Sequence, residues 1–118
     1  MNRRRLGSLQ EQKAVEYLQE CGYVVEARNY QTRFAEIDIV AREGGYLCFV
    51  EVKYRSGTKY GAPDGLITKQ KMQRIGKAAG FYLREKRILP DTPVRFDVVF
   101  ILGEEISLIR NAFMYRGD

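Results

Sequence analysis

A pair of adjacent glycines, Gly44-Gly45, constrains the fold more than any other feature of this sequence. The flanking segments, residues 34–42 and 46–55, are rich in β-branched and aromatic side chains. Two glycines between such segments are a strong signal for a β-hairpin, because the preferred two-residue turns need positive φ angles. The sequence therefore predicts an antiparallel pair of strands near its centre.

The length of this turn fixes which residues of the two strands face each other. With two turn residues, Asp38 lies directly opposite Glu51, and Glu36 lies opposite Lys53. A four-residue loop would keep this register, whereas a three-residue loop would break it. The register predicts one polar face and one apolar face at this end of the hairpin: Glu36, Asp38, Glu51 and Lys53 on the first, and Ile37, Ile39, Val50 and Val52 on the second.

Segments with helical or strand periodicity surround the hairpin. In chain order the predicted elements are a helix over 6–21, strands over 23–30, 34–42 and 46–55, a helix over 68–87 with Thr68 as its N-cap, and strands over 94–102 and 106–110. The order αβββαββ predicts an α/β fold with a mixed sheet, in which the second helix crosses over to a strand parallel to the third. The 118 residues make one domain, residues 1–118.

The chain contains no histidine. This absence excludes Ser-His-Asp and Cys-His nucleophiles, His-ligated zinc and nucleases whose base is a histidine. The two cysteines lack a CxxC spacing, and we interpret them as reduced packing residues of a cytoplasmic protein. The longest apolar runs, residues 46–50 and 98–102, are too short to span a membrane, so no membrane partner is expected. Carboxylates, lysines and a hard metal ion remain for any chemistry.

Two carboxylates that oppose each other across strands repel and destabilise the sheet. A divalent cation between Asp38 and Glu51 would relieve this repulsion, and Lys53 would then reach the ion's water or a bound phosphate. The alternative is a solvated face in which Lys53 pairs with Glu36 or Glu51, since charge clusters are often only structural.

Glu11 falls inside the apolar stripe of the first predicted helix, which runs through Ala14, Val15 and Leu18. A carboxylate on such a stripe needs a partner because burying it alone is costly. A metal site at the sheet edge would supply that partner. In the alternative interpretation the start of the helix is frayed, and Glu11 is solvated near the positive end of the helix dipole.

The net charge of +5 is concentrated in one segment. Residues 69–87 hold seven basic residues and one acidic residue, whereas the rest of the chain holds thirteen basic and fourteen acidic ones. This pattern favours a nucleic-acid partner, held by phosphate contacts without base recognition. A solvated helix face is the alternative. The predicted contact residues are Arg3, Arg4, Arg5, Lys69, Lys71, Arg74 and Lys77.

The combination of Glu11 on a helix, Asp38 on one strand and Glu51-Val52-Lys53 on the next resembles the PD-(D/E)xK nuclease pattern. Its order and hairpin spacing are similar to archaeal Holliday-junction resolvases, and the chain resembles the bacterial YraN-like family most closely. The shared marks are Leu6-Gly7, Glu11, Ala14, Tyr17-Leu18, Gly22-Tyr23, Arg28-Asn29, Glu36-Ile37-Asp38, Phe49-Val50-Glu51-Val52-Lys53, Lys71, Arg95-Phe96-Asp97-Val98-Val99 and Asn111-Ala112-Phe113.

The resemblance implies a restriction-endonuclease-like fold and a Mg²⁺-dependent (or Mn²⁺-dependent) nuclease that acts on DNA, including branched or recombination intermediates. It implies that Asp38 and Glu51 are the metal ligands, that Lys53 orients or activates the attacking water, and that Glu11 binds a second ion or an outer-shell water. Resolvase-like nucleases usually cut both strands with two active sites, which implies either a homodimer or a second protein as partner.

Two other functions fit the same residues. One is a non-catalytic nucleic-acid-binding module that keeps the fold and the basic helix. The other is an adaptor that binds protein at the sheet edge. Neither function needs an opposed carboxylate pair, so Asp38 and Glu51 favour the nuclease.

Overall fold

The computed structural model describes residues 3–56 and 67–114, with side chains from residue 7 onward. Its elements are α1 (Arg3–Glu20), β1 (Val24–Gln31), β2 (Glu36–Glu43), β3 (Tyr46–Arg55), α2 (Lys69–Glu85), β4 (Val94–Leu102) and β5 (Glu105–Phe113). The predicted order αβββαββ is confirmed. Helix α1 begins at Arg3 and β5 extends to Phe113, so both elements are longer than the sequence pattern predicted.

The five strands form one sheet in chain order, from β1 at one edge to β5 at the other. All neighbours are antiparallel except β3 and β4, which are parallel. The predicted crossover through α2 is confirmed, because a parallel pair needs a connection that returns the chain to the same end of the sheet. The sheet is thus mixed, as the sequence predicts. Within the described ranges, neither helix is long and apolar enough to cross a membrane.

Two apolar clusters cover the two faces of the sheet. On one face α1 packs through Ala14, Val15 and Leu18, as its periodicity predicts, against Ile39 and Val50 of the hairpin. On the other face α2 packs against a cluster of buried side chains from β2, β3 and β4, and its own buried contributors are Ile75, Ala78, Ala79 and Tyr82. Because both faces are covered, the central strands are buried and apolar for most of their length.

Local sequence signals place the boundaries of the hairpin and of α2. Gly44 and Gly45 adopt φ angles of +57° and +90°, which are the positive values expected of a two-residue hairpin turn. The hydroxyl of Thr68 accepts a hydrogen bond from the backbone amide of Lys71 at 3.1 Å, which confirms the predicted N-cap. The loop predicted between β3 and α2 lies mostly at residues 57–66, outside the described residues.

A polar network is buried where β4 passes the turn end of the hairpin. Asp97 is completely buried, and it accepts hydrogen bonds from the Tyr23 hydroxyl at 2.7 Å, the Arg95 guanidinium at 2.9 Å and the backbone amide of Asn111 at 2.8 Å. Arg95 also contacts Glu43, the last residue of β2. A buried carboxylate is tolerated only with such partners. The network therefore joins β2, β4, β5 and the α1–β1 connection.

Candidate active site

The hairpin register agrees with the sequence prediction up to the point where the acidic residues begin. The strands pair from Glu43 opposite Tyr46 to Ile39 opposite Val50. Asp38 and Glu51 are the next residue on each strand, so they lie on neighbouring antiparallel strands as predicted. Here the Asp38 side chain accepts a hydrogen bond from the backbone amide of Val52 at 2.8 Å. The Asp38 carboxylate thus accepts the hydrogen bond that a backbone carbonyl would accept in a regular strand pair. This bond holds the Asp38 side chain in position.

One part of the predicted face assignment is wrong. Ile39 and Val50 pack on the α1 side of the sheet as expected, but Ile37 packs in the cluster on the α2 side. The alternation of β2 breaks at Asp38, where the β1–β2 pairing runs from Arg28–Ile39 to Tyr30–Ile37 without a bridge between Asn29 and Asp38. Asn29 has a φ of +54°, a left-handed conformation that interrupts the alternation of a strand. Asp38 lies at this interruption.

The two acids occupy a partly buried, electrostatically strained position. Burial, and then the negative charge of Glu51, raise the pKa of Asp38 to about 7. Burial also raises the pKa of Glu51, which is only 7% exposed, while the charges of Lys71 and Lys53 oppose that rise. Desolvation and a like charge both disfavour a second ionised carboxylate. The structure therefore brings together two carboxyl groups that resist being charged at the same time.

Two ammonium groups lie beside Glu51. The Nζ atom of Lys53 is 3.6 Å from Glu51 Oε1, and the Nζ atom of Lys71 is 3.9 Å from the same oxygen. Lys53 does pair with Glu51, as the alternative interpretation required. However, Glu51 is buried, so this face of the hairpin is not the solvated surface of that alternative.

Lys71 belongs to this site, whereas its charge alone had predicted only a phosphate contact. Lys71 lies one helical turn before Ile75, which faces the sheet. Residues four apart lie on the same side of a helix. The position of Lys71 on the same side of α2 as the buried Ile75 is therefore the sequence signal that could have placed it at the site. This side of α2 faces the sheet, and Glu51 points toward it.

Glu11 lies inside α1 because the helix starts two turns earlier, which removes the frayed helix start of the alternative interpretation. Its carboxylate accepts hydrogen bonds from Asn29 Nδ2 at 2.9 Å and from Arg28 Nε at 3.2 Å. The charge of Glu11 contributes to the raised pKa of Asp38, as the smallest of the named causes. The charge of Glu11 thus raises the pKa of Asp38 without a direct contact. The hydrogen-bond partners of Glu11 are Arg28 and Asn29, which the sequence did not predict.

The donor set suits a hard divalent cation. Asp38 and Glu51 supply carboxylate oxygens, which Mg²⁺ and Mn²⁺ prefer. Burial raises the pKa of both groups, and the charge of Glu51 raises that of Asp38 further, so a bound cation would favour the ionised forms. Among residues 3–56 and 67–114 no group of three or more acidic or thiol side chains gathers around one point. An ion here would thus take its other ligands from water or from substrate oxygens, which is usual for Mg²⁺.

The predicted nucleic-acid contacts lie mostly on α2. Lys69, Arg74 and Lys77 are exposed on the helix, whereas Lys71 is turned toward Glu51. Arg3, Arg4 and Arg5 form the first turn of α1, but their side chains lie outside the described part of the chain. Among the predicted contacts whose side chains the structure describes, the exposed basic surface is therefore a face of α2. Lys71 connects this helix to Glu51 of the acidic pair.

Comparison with known sequences agrees with the resemblance to YraN-like proteins. The model of the uncharacterised protein family UPF0102, the YraN family, matches residues 10–101. A UPF0102 protein of Lachnoclostridium phytofermentans is 54% identical over 118 residues, which is the full length of both chains. A UPF0102 protein of Syntrophus aciditrophicus is 47% identical over 113 residues, or 92% of this chain and 88% of the relative. One from Persephonella marina is 45% identical over 103 residues, or 87% of this chain and 88% of the relative. The chain therefore belongs to the uncharacterised protein family UPF0102.

Proposed function

We propose that this protein is a metal-dependent nuclease that hydrolyses phosphodiester bonds of DNA, including branched or recombination intermediates. The observation that carries the proposal is the pair of partly buried carboxyl groups, Asp38 and Glu51, with the ammonium groups of Lys53 and Lys71 within 4 Å of Glu51. Carboxyl groups whose pKa values are shifted by burial and by specific charged neighbours are concentrated at functional sites. Two such acids, with two lysines beside one of them, supply the carboxylate oxygens for a metal ion and the positive charge for a phosphate.

The side chains have distinct roles in the proposed reaction. Asp38 is oriented by the Val52 amide, and Glu51 is oriented by the two lysines, so both carboxylates are held in place to bind Mg²⁺ or Mn²⁺. The bound ion would supply Lewis acidity at the phosphate and lower the pKa of a water molecule. Lys53 and Lys71 would donate to phosphate oxygens and stabilise the negative charge that grows as water attacks phosphorus and the ester oxygen leaves.

Glu11 has a supporting role in this proposal. Its carboxylate already accepts bonds from Arg28 and Asn29, and a carboxylate has acceptor capacity for a further donor. We assign to it a water molecule or a second ion beside the acidic pair, as the resemblance to PD-(D/E)xK nucleases implies. Arg28 and Asn29 would then keep Glu11 in its orientation, and its charge would add to the field around Asp38.

The test is cleavage of a panel of linear, nicked, flapped and four-way DNA during titration with Mg²⁺ or Mn²⁺. Wild-type protein should cut at least one structure, and Asp38→Asn, Glu51→Gln and Lys53→Ala should each abolish the cleavage. Glu20→Gln and Lys86→Gln are matched controls, because they remove one charge of each sign from exposed positions and should leave cleavage unchanged. A purified protein that cuts none of these substrates and is not stabilised by either metal would contradict the proposal.

The second candidate is a non-catalytic nucleic-acid-binding module with the same fold. The observation that favours it is the basic face of α2, where Arg74 and Lys77 are exposed and need no metal to contact phosphates. DNA binding that survives Asp38→Ala, together with no cleavage by wild-type protein, would select the module over the nuclease.

Two further parts of the proposal concern the setting of the protein. Cys21 and Cys48 are both free thiols, which supports a reducing compartment such as the cytoplasm. Burial raises the pKa of Cys48 to about 12, so this thiol is a packing group rather than a nucleophile.

Cutting both strands of a duplex would take two copies of the site. We therefore include in the proposal a homodimer on DNA, which sedimentation of the complex would detect.

A further inference from the structure

The β1–β2 connection and the outer side of α2 enclose a depression with a volume of about 520 Å³. We refer to it as the α2 groove, and its described lining residues are Arg33, Phe34, Gln70, Gln73, Arg74 and Lys77. The first two residues come from the connection, and the other four come from the first two to three turns of the helix. Of these residues, the sequence predicted Arg74 and Lys77 as nucleic-acid contacts and placed Gln70 on the same outer face of the helix.

The lining of the α2 groove combines positive charge, side-chain amides and an aromatic ring. It combines three cations and two side-chain amides with one aromatic ring, and none of its described lining residues is acidic. The ring of Phe34 is half-buried and lies against that of Phe81, with 5.5 Å between ring centroids. Arg33 and Lys77 extend over the Phe34 ring, with Cζ and Nζ at 5.1 Å and 5.3 Å from its centroid. The groove therefore offers a flat apolar surface surrounded by positive charge.

The groove adjoins the acidic pair. Lys71, which contacts Glu51, lies between Gln70 and Gln73 on α2. On the other wall, Phe34 precedes Asp38 by four residues, which is no more than about 14 Å of extended chain. The groove thus lies within a few nucleotides' length of Asp38, so a strand with a phosphate at Asp38 and Glu51 can extend into it.

We propose that the α2 groove binds unpaired nucleotides of a DNA strand, with Phe34 stacked on a base and with Arg33, Arg74 and Lys77 at the phosphates. Phosphate contacts alone would need only the cations. Aromatic rings contact bases only where the bases are out of the helical stack, so Phe34 favours an unpaired segment over an intact duplex. The amides of Gln70 and Gln73 can each donate to and accept from a base edge.

The cations that now cover the Phe34 ring do not prevent this binding. Arg33 and Lys77 are both exposed, and their long side chains can turn from the ring to a phosphate. An exposed cation–π contact is weaker than base–aromatic stacking, so the exchange favours the nucleotide. This inference rests on the proposed nuclease function and specifies its substrate as DNA with a single-stranded segment beside the cut.

The test measures binding of wild-type protein by fluorescence anisotropy in buffer with a chelator, so that no cleavage occurs. Two labelled strands of equal length are compared, a thymidine oligonucleotide and an abasic strand that has the same phosphates without bases. Wild-type protein should bind the thymidine strand about tenfold more tightly, which corresponds to the loss of one base stack. Equal affinities for the two strands would overturn the inference, and so would failure to bind either.

The variant Phe34→Leu keeps an apolar side chain and removes the ring. It should lose most of the preference for the thymidine strand, whereas Phe34→Trp should retain it. As the charge control, Arg33→Gln with Lys77→Gln should weaken binding of both strands more than Lys86→Gln with Arg87→Gln, which removes the same charge outside the groove. A Phe34→Leu variant that folds and retains the full preference would show that the ring only anchors the β1–β2 connection.

Failure of this inference can be distinguished from failure of the nuclease proposal. The described ring contacts of Phe34 are to Phe81, Arg33 and Lys77, none of which is a proposed metal ligand, so Phe34→Leu should keep the same rise in melting temperature with Mn²⁺ as wild type. A base preference without metal-linked stabilisation or cleavage would support the groove and reject the nuclease. Cleavage without any base preference would support the nuclease and reject the groove.

Discussion

The Asp38 carboxylate accepts a hydrogen bond from the backbone amide of Val52 at 2.8 Å, across the end of the β2–β3 pair. This bond lies just beyond the last paired residues, Ile39 and Val50. It occupies one carboxylate oxygen and leaves acceptor capacity on the other. The bond also lowers the pKa of Asp38, but burial and the charge of Glu51 raise it by more. The hydrogen bond thus holds Asp38 in position, whereas burial and the charge of Glu51 disfavour its ionised form.

The first prediction concerns stability without metal. Asp38→Asn and Glu51→Gln should each be as stable as wild type or more stable in metal-free buffer, because each variant removes one of two repelling charges. The asparagine keeps an acceptor oxygen for the Val52 amide, so that hydrogen bond can persist. Urea unfolding at neutral pH measures the difference. A loss of stability in both variants would show that the two charges are favourably compensated in the fold.

A divalent metal ion should make wild type more stable than Asp38→Asn and Glu51→Gln. Mn²⁺ or Mg²⁺ should raise the melting temperature of wild type, since a ligand that binds only the folded state stabilises it. Neither Asp38→Asn nor Glu51→Gln should respond, whereas Glu20→Gln, whose carboxylate is exposed on α1, should respond as wild type does. Equal responses in all four proteins would place metal binding elsewhere.

The second prediction concerns pH. The folded-state pKa of Asp38 is about 7 against an ordinary value of 3.8, so between these values the folded protein binds a proton that the unfolded chain has released. The free energy of unfolding should therefore fall as the pH rises from about 4 to about 7 in metal-free buffer. Each pKa unit corresponds to about 1.4 kcal/mol. Asp38→Asn should remove the part of this dependence that comes from Asp38, so the readout is the difference in free energy of unfolding between variant and wild type at each pH.

Glu43 provides a control with the opposite sign. Its hydrogen bonds from Arg110, opposed in part by burial, lower its pKa from 4.5 to about 2. The stability that Glu43 contributes should thus be present above about 4.5 and be lost as the pH falls toward 2. Glu43→Gln should remove the part of the loss of stability below about pH 4.5 that comes from Glu43, and it should leave the dependence between pH 5 and 7 unchanged. A variant difference for Asp38→Asn that does not change between pH 5 and 7 would contradict the raised pKa.

The third prediction concerns DNA affinity. Reversing Arg74 and Lys77 to glutamate should weaken binding to all sequences alike, as expected for phosphate contacts. The slope of log affinity against log salt should become shallower by about one for each contact that is lost. The pair Lys86→Glu and Arg87→Glu changes the net charge equally but lies at the C-terminal end of α2, outside the groove. If both pairs reduce affinity equally, only overall charge matters.

The fourth prediction concerns the buried network around Asp97. Asp97→Ala should destabilise the protein by about 3–5 kcal/mol, because it leaves the Arg95 guanidinium without its buried partner. Tyr23→Phe removes one hydroxyl donor to Asp97 and should cost only about 1–3 kcal/mol. Urea unfolding of the two variants gives the comparison. Equal losses would mean that the Tyr23 hydrogen bond contributes as much stability as the ion pair.

Several features followed from short sequence patterns alone. Gly44-Gly45 predicted the hairpin and its register, and Thr68 predicted the start of α2. Apolar periodicity predicted the buried residues of α1 and the element order. Such features depend on residues within one turn or one pair of neighbouring strands, where backbone geometry leaves few options. The family also followed from motifs spread along the chain. The catalytic, metal and DNA-binding roles of these residues stay predictions.

The tertiary structure decided which distant groups meet. It placed Lys71 beside Glu51, gave Glu11 its partners Arg28 and Asn29, and brought Phe34 against α2. It also moved Ile37 to the other face. Periodicity reports the face of an element on which a residue lies, but it does not report what packs against that face or where a strand breaks its alternation. Those outcomes depend on how helices and strands far apart in the chain pack together, because only packing brings their side chains within contact distance.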